Sequence, residues 1–380
     1  MTFVDKRRMA GEGRLGYDTR FGSGWISGVT SVGLGLMGLG AVFCLLFPDV
    51  LTTPEARRLY PMAIVRFVIH AGLISAFCLG GLSIVLSRRI PLGLTGIALV
   101  VVATLLGGAQ VEVGTIREPR VFVGLDWFLL NLFVLAFVFI PVEMLFARRP
   151  EQRFFRPGWL TDVLHFMVSH LLVQLTVLLT LLPAAVFFRW AVSPRVQSLV
   201  AVQPLVLQFV EIVIVADLAE YAIHRAFHQV PWLWPFHAVH HSSQTLDWLA
   251  ASRIHLVDAV VTRALAFVPL YVLGFAPGAV YAYLVFVSFH AIFLHANVRF
   301  RFGPLAWIVG TPQFHHWHHA VRPVDKNFAI HLPVIDRIFG THYLPAGRWP
   351  DDYGLEGQPV PPRYPGQVLY PFRSSAIRAA

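Results

Sequence analysis

Long apolar stretches dominate the chain, and their lengths predict its architecture. A helix needs roughly 20 apolar residues to cross a bilayer. Stretches of about that length lie near residues 26–47, 61–86, 91–108, 124–145, 163–187 and 203–223. A further apolar stretch, about 257–297, is broken by glycine and proline at 274–278, which predicts two short helices returning to the same side. The pattern predicts an all-α fold, a polytopic transmembrane helix bundle.

Groups of arginine between these stretches predict their orientation. If all six spans cross the membrane, three arginine pairs lie on one side: Arg7-Arg8, Arg88-Arg89 and Arg148-Arg149. The positive-inside rule assigns that side to the cytoplasm. Arginines near residues 57 and 117–120 fall on the other side and count against this orientation. With the predicted orientation, the histidine-rich region described below faces the cytoplasm.

Composition agrees with a membrane protein. Only 13% of the 380 residues are charged and 56% are hydrophobic, whereas roughly a quarter of a soluble protein is charged. The net charge of +9 comes from arginines that flank apolar stretches, so it does not indicate nucleic-acid binding. The two cysteines, Cys44 and Cys78, lie in apolar stretches and form no C-x-x-C motif, so any electrons must come from a partner protein.

Four regions are expected along the chain. They are a basic cytoplasmic N-terminus (1–24), a four-span membrane region (25–150), a histidine-rich domain (151–345) and a Pro/Gly-rich tail (346–380). The tail is either a disordered end or a flap over the histidine-rich region. The G-x-G-x-x-G match at 33–38 lies inside an apolar span without a βαβ context, which indicates close helix packing instead of nucleotide binding.

Histidine is the residue type that carries the chemistry. Twelve of the 17 histidines lie between His224 and His319. Eight of them form three groups with helical spacing: His224 and His228; His237, His240 and His241; His315, His318 and His319. Residues at i, i+3 and i+4 share a helix face, so each group projects together. Neutral imidazole binds iron, zinc, copper or nickel, and a tetrahedral zinc site would use only half of these rings. We therefore expect two metals held close together in a cytoplasmic helical cap.

Single histidines are assigned by position. His295 ends the broken hairpin and is the first candidate for an additional ligand. Further candidate ligands are His290, His255 and His316. His70, His165 and His170 lie in or near apolar stretches and are interpreted as structural, whereas His331 and His342 stay unassigned.

Carboxylates near the histidines are candidates for supporting roles. Asp217 and Tyr221 precede His224 on the same helix face. A carboxylate at the end of a span is costly without a function, and Asp217 is expected to hold the second ring nitrogen of a ligand histidine. Asp247, Asp258 and Asp336 are candidates for similar parts.

At these residues the chain resembles the fatty acid hydroxylase superfamily, which includes sterol desaturases, sphingolipid hydroxylases and alkylglycerol monooxygenase. The matching motifs are Asp217-x-x-x-Tyr221-x-x-His224-Arg225-x-x-His228, Trp234-Pro-Phe-His237-x-x-His240-His241, His295-Ala-Asn297, Thr311-Pro312-x-x-His315-x-x-His318-His319 and Lys326-Asn327-Phe328. They cover residues 160–345, about half of the chain. Some members carry a histidine where this chain has Ala291, so His290 either substitutes for it or does not bind.

The resemblance implies a membrane-bound di-iron enzyme that uses dioxygen to hydroxylate or desaturate a lipid or sterol. Its implied metal ligands are His224, His228, His237, His240, His241, His295, His315, His318 and His319. Asp217, Tyr221, Asn297 and Asn327 are then expected to support the ligands. The enzyme would need two iron ions, a lipid substrate and an external electron-donor protein or reductase. Abundant arginine beside only two lysines favours a bacterial inner membrane.

Two other classes of function remain open from the residues alone. A zinc membrane hydrolase would need a carboxylate base beside the metal, as in H-E-x-x-H, and the chain has none in its histidine groups. A metal transporter would place its ligands near the middle of the membrane, whereas these groups lie beyond the predicted spans.

Overall fold

The computed structural model describes residues 22–57, 61–86, 90–115 and 122–373. The chain divides into two compact units, Met1–Asn131 and Leu132–Ala380. Regular structure in the described ranges is helical apart from two isolated bridges, Ala147 with Val298 and Ala320 with Tyr353, which confirms the all-α prediction. The predicted basic segment up to residue 21 and the pair Arg88-Arg89 lie outside the described residues.

In the described ranges the α-helices are α1 Trp25–Leu46, α2 Pro48–Leu51, α3 Pro54–Arg57, α4 Met62–Leu86, α5 Pro91–Leu105, α6 Leu125–Phe146, α7 Trp159–Leu171, α8 Val173–Phe187, α9 Pro194–Ala201, α10 Leu205–Gln229, α11 Trp234–His241, α12 Leu256–Leu273, α13 Pro277–His295, α14 Pro312–His318, α15 Pro333–Ile338 and α16 Tyr364–Leu369. Short 3-10 helices occur at Gly108–Gln110, Arg189–Ala191, Ala250–Ser252, Gly303–Trp307 and Tyr370–Phe372.

Several described helices are long and apolar enough to cross a membrane, as expected of a multi-pass membrane protein. They are Trp25–Leu46, Met62–Leu86, Pro91–Gln110, Leu125–Phe146, Leu256–Leu273 and Pro277–His295. The first four correspond to the first four predicted spans, and the last two form the predicted broken hairpin.

The fifth and sixth predicted spans differ from the structure. The stretch 163–187 belongs to two helices, α7 and α8, which meet at Leu172. Most of the stretch 203–223 lies in α10, which begins at Leu205 and carries the acidic residues Glu211, Asp217 and Glu220. Asp217 is buried and contacts the backbone of residues 330–332, in the histidine-rich part of the chain.

Small residues let helices of the first unit pack closely. Ser31 on α1 donates a hydrogen bond to the backbone oxygen of Ala76 on α4 at 2.6 Å. A side chain at Gly96 on α5 would collide with Ser31. Gly35 and Gly38 likewise pack against leucines of α5 and α4. The glycine-rich segment of α1 therefore serves helix packing, as small residues do in membrane helices.

Four helices of the second unit carry the histidine groups. His224 and His228 lie on α10, the H-x-x-H-H group ends α11, and His295 ends α13. Proline in the first turn of α11 and α14 fixes where these short helices begin. At α14 the Thr311 side chain also accepts a hydrogen bond from the backbone N–H of Phe314, which caps the helix.

The described part of the C-terminal tail folds against the second unit. His165 on α7 lies 2.9 Å from the side-chain oxygen of Gln367, which is fully buried. The Tyr353 hydroxyl lies 2.8 Å from Nδ1 of His316. Of the two alternatives for this segment, a disordered end does not fit the residues up to 373.

Candidate metal centre

The structure gathers all nine predicted ligand histidines into two groups. The first group contains His224, His228, His237, His241 and His318. The second group contains His240, His295, His315 and His319. In each group one ring nitrogen per residue lies within 4.8 Å of those of the other members, so each group can hold a metal ion.

Two His-His dipeptides, His240-His241 and His318-His319, each contribute to both groups. His240 and His319 belong to the second group, and their sequence neighbours His241 and His318 belong to the first. Neighbouring residues on a helix do not face each other, so one dipeptide can serve two metals. The rings of His241 and His319 stack with centroids 4.6 Å apart. The two groups are therefore adjacent.

Close nitrogen contacts define the second group. His295 Nε2 lies 3.2 Å from His240 Nε2, 3.1 Å from His315 Nε2 and 3.2 Å from His319 Nε2. Two imidazoles that share one ion through bonds of about 2.1 Å bring their nitrogens to roughly 3.0–3.4 Å. The separations in the second group match a shared ion.

The first group has ring nitrogens that lack protein partners. Nε2 of His228, His241 and His318 is buried and forms no hydrogen bond within the described residues. His224 Nε2 lies 2.9 Å from His237 Nε2. Buried polar atoms almost always have a partner. Five converging imidazoles with unpaired nitrogens fit a metal ion, which would accept their lone pairs.

The outer ring nitrogens are held by backbone oxygens. His224 Nδ1 lies 2.7 Å from the oxygen of Phe328, His240 Nδ1 3.0 Å from that of Arg253, His295 Nδ1 2.8 Å from that of Ala291, and His318 Nδ1 2.8 Å from that of Lys326. A carbonyl only accepts, so each Nδ1 carries the proton. Nε2 is then left with a free lone pair, as a metal ligand requires.

Burial keeps these imidazoles neutral. The pKa of His240, His241 and His318 lies well below the ordinary value of 6.5, because burial disfavours the charged ring and neighbouring imidazoles add to the effect. The same causes lower the pKa of His315 and His319. Metals bind the neutral form of imidazole, so burial leaves these rings in the protonation state that a metal ligand needs.

His290, His255 and His316, the further candidate ligands, lie in neither group. His255 caps α12 by accepting from the backbone N–H of Val257, and its Nε2 faces the oxygen of Val368 at 3.1 Å. His316 contacts the Tyr353 hydroxyl and, at 3.3 Å, the backbone oxygen of His295. His290 contacts His331 and the oxygen of Gly310. Each has protein partners for both nitrogens.

The predicted role of Asp217 differs from the observed one. Its carboxylate accepts hydrogen bonds from the backbone N–H groups of residues 330, 331 and 332, at 2.7 to 3.0 Å, and holds no ligand imidazole. The carboxylate with the predicted role is Asp258, whose Oδ2 lies 2.8 Å from His237 Nδ1. Asp217 lies about two turns from His224 and reaches the chain segment that follows Phe328 instead.

The other predicted supporting residues fix loops around the ligands. Tyr221 lies 3.1 Å from the Thr341 hydroxyl. Asn297 bridges to both backbone groups of Arg149. Asn327 donates to the backbone oxygens of Phe314 and Tyr343. These asparagines position the segments that carry His295 and His318.

Sequence reasoning missed a buried ion network beside the second group. Asp162 is fully buried and pairs with Arg156 at 2.7 Å and with Arg253 at 2.5 Å. Arg156 also pairs with Asp247. Because the backbone oxygen of Arg253 holds His240, the network fixes the orientation of a predicted ligand. Arg156 and Asp162 lie 91 residues before their partners Asp247 and Arg253, so the network forms no local motif.

Comparison with known proteins supports the resemblance. A family model described as Fatty acid hydroxylase matches residues 209–341. Ornithine lipid hydroxylase OlsE of Rhizobium tropici is 34% identical over 172 residues, which are 44% of this chain and 51% of that protein. Human alkylglycerol monooxygenase is 35% identical over 128 residues, 33% of this chain and 28% of that protein.

Very-long-chain aldehyde decarbonylase GL1-6 of Oryza sativa subsp. indica is 30% identical over 134 residues, 32% of this chain and 20% of that protein. The chain thus spans about half of the length of one of these relatives and less of the others. No solved structure matches the chain significantly. The matched segment contains all nine histidines of the two groups, and the predicted family resemblance is confirmed.

Proposed function

Taking residues 209–341 as a fatty acid hydroxylase domain, we propose that the protein is a membrane-bound di-iron enzyme that uses dioxygen to hydroxylate a C–H bond of a lipid. The observation that carries the proposal is the pair of adjacent histidine groups with unpaired, inward-facing nitrogens. The relatives named as lipid hydroxylases and monooxygenases support the reaction class.

The nine histidines would hold two iron ions, one in each group. Bound iron would supply the activation of dioxygen and the oxidation of an unreactive C–H bond. The chain itself keeps buried ligand rings such as His240 and His318 neutral, and it buries eight of the nine histidines away from water. It holds Nδ1 of five of them, which leaves Nε2 free for the metal: His224, His237, His240, His295 and His318. These are the tasks of a protein that hosts a reactive metal pair.

The hairpin of α12 and α13 would bring the substrate to the site. Both helices are long and apolar enough to cross a membrane, and α13 ends at His295 of the second group. An alkyl chain lying along α13 would therefore reach the metal site at its end. We propose a polar lipid with a long alkyl or acyl chain as substrate, in line with the ornithine lipid and alkylglycerol in the names of the relatives.

The membrane location of the protein and its source of electrons are inferred from the sequence. We propose that the histidine groups face the cytoplasm of a bacterium, that the protein lies in the inner membrane, and that an external reductase supplies electrons. Residues 151–345 would form the catalytic domain. The chain has no C-x-x-C pair of its own for electron transfer.

Mass spectrometry of lipids tests the proposal. Total lipids would be compared between cells that express the wild-type chain, His318→Ala, His240→Ala, or His70→Ala as a control. His70 is an exposed histidine of α4 and lies in neither group. We expect a lipid that carries one additional oxygen atom in wild-type and His70→Ala cells, and no such lipid in the other two.

Other results would contradict the proposal. A lipid that loses two hydrogens in wild-type cells, without gaining oxygen, would make the enzyme a desaturase. Full activity in His318→Ala would remove the first histidine group from the reaction. Purified wild-type protein should contain at least two iron ions per chain, whereas zinc together with hydrolytic activity would favour a hydrolase.

A further inference from the structure

A third group of acceptor atoms lies in the second unit, outside the two histidine groups. We propose that Asp217, Glu220 and His331 bind a divalent transition-metal cation. One ligand atom of each lies within 4.8 Å of the other two. Asp217 and Glu220 are one turn apart on α10, and His331 lies just before α15. The proposal goes beyond the di-iron function, because none of these residues belongs to the nine ligands.

Hydrogen bonds fix the protonation of His331. His290 Nε2 lies 3.0 Å from the backbone oxygen of Gly310, which only accepts, so this nitrogen carries the proton. In a neutral ring His290 Nδ1 is then an acceptor, and it lies 2.8 Å from His331 Nδ1, which must be the donor. His331 Nε2 therefore has a free lone pair. His331 is only 1% exposed, and its Nε2 has no hydrogen-bond partner in the described residues.

Both carboxylates also have unused acceptor capacity. Asp217 Oδ1 accepts from the N–H groups of Ile330 and His331, whereas Oδ2 accepts only from Leu332. A carboxylate oxygen has about two lone pairs, so Oδ2 can take one more partner. Glu220 forms no hydrogen bond with any described residue, and its interactions with Asp217 and Arg263 are through charge alone. Acceptor atoms that lie close together and keep unused lone pairs are the surroundings of a bound cation.

The donor set indicates which cation fits. Carboxylates suit manganese and magnesium, and imidazole suits zinc, iron, copper and nickel. Two carboxylates with one imidazole therefore favour Zn²⁺, Mn²⁺ or Fe²⁺. Such an ion would join α10 to residues 330–332. Because the oxygen of Phe328, two residues earlier, holds His224 Nδ1, the ion would stabilise the orientation of a ligand in the first group.

Metal titration tests the proposal on the full chain in detergent. Metal-stripped wild-type protein should bind three Zn²⁺ per chain, and Glu220→Gln should bind two. Glu211→Gln is the matched control, because Glu211 is a half-buried glutamate of the same helix and lies outside the group. It should still bind three. His318→Ala should weaken binding in the first histidine group and leave the third ion in place, so the two proposals can fail separately.

A measurement on the wild type avoids dependence on folding of the variants. After loading with two equivalents of Zn²⁺, added Mn²⁺ should bind once per chain and show electron-spin coupling to one imidazole nitrogen. Two Zn²⁺ per chain in the wild type and in both glutamate variants would overturn the proposal. Bound Mn²⁺ that shows no coupling to an imidazole nitrogen would overturn the assignment as well, because His331 would then not be a ligand.

Discussion

Replacing Asp258 by asparagine isolates the effect of a single charge on the first histidine group. Oδ2 of Asp258 lies 2.8 Å from His237 Nδ1, and its Oδ1 accepts from the Thr262 hydroxyl at 3.1 Å. Asparagine has the same shape, so its oxygen can still accept from His237. The hydrogen bond persists, but the negative charge that strengthens the imidazole as a ligand is lost.

The strength of the Asp258–His237 hydrogen bond determines how much metal affinity is lost with the charge. A hydrogen bond to a charged group contributes about 1.5–3 kcal/mol, against about 1 kcal/mol for a neutral one. Asp258 is only 4% exposed and His237 6% exposed, so solvent screens this pair little. Loss of the charge should weaken metal binding in the first group by about 10-fold, and Asp258→Ala, which also frees the ring to rotate, by up to about 100-fold.

Chelator competition measures this directly. Purified, iron-loaded protein would be dialysed against a series of chelators of increasing affinity, and the iron retained per chain would be determined together with lipid hydroxylation. Thr262→Val is the control, because it removes the hydroxyl that contacts Asp258 and keeps the contact with His237. We expect iron retention to be highest in the wild type and Thr262→Val, lower in Asp258→Asn and lowest in Asp258→Ala. Unchanged iron retention in Asp258→Asn would refute the argument that the charge tunes the ligand.

Two further predictions concern stability. Burial lowers the pKa of five histidines below 6.5 in the folded protein: His240, His241, His315, His318 and His319. As the pH falls, the unfolded chain therefore binds protons before the folded chain does, and the metal-free protein should lose stability progressively below pH 6.5. Thermal unfolding of chelator-treated protein from pH 8 to 5 checks this, and a melting temperature that does not change with pH would contradict it. The second change, Asp162→Ala, removes the buried carboxylate that Arg156 and Arg253 share. It should lower the free energy of unfolding by about 3–5 kcal/mol and reduce the folded fraction in fluorescence-detected gel filtration. Substitution of the exposed pair Arg322 and Glu356 is the control and should leave the folded fraction unchanged.

The members of the candidate metal site could be predicted from sequence because helical spacing is a local property. H-x-x-H-H places its histidines on adjacent faces of one helix, whatever the rest of the chain does. The division into groups of five and four could not be predicted in this way. Whether His240 joins His295 or His237 depends on contacts between α11 and α13, which are separated by more than 30 residues, and no local pattern records them.

Supporting groups were harder to predict for two physical reasons. Four of the candidate ligand histidines are held by backbone oxygens, at Phe328, Arg253, Ala291 and Lys326. Every residue has such an oxygen, so its use leaves no trace in the residue type. Among the aspartates, Asp258 holds a ligand and Asp217 holds backbone N–H groups, and both are buried acidic residues on a helix. Only the direction of the side chain in the folded protein separates their roles.

The arrangement of α10 links the two conclusions about metals. Its last two turns carry His224 and His228, and the turns before them carry Asp217 and Glu220. The carboxylates are costly to bury in an apolar helix unless they are compensated. Asp217 is compensated by the N–H groups of residues 330–332, whereas Glu220 forms no described hydrogen bond and is compensated only by the charge of Arg263. A cation shared with His331 would add direct compensation, and would hold the 328–332 segment in the position from which Phe328 orients His224.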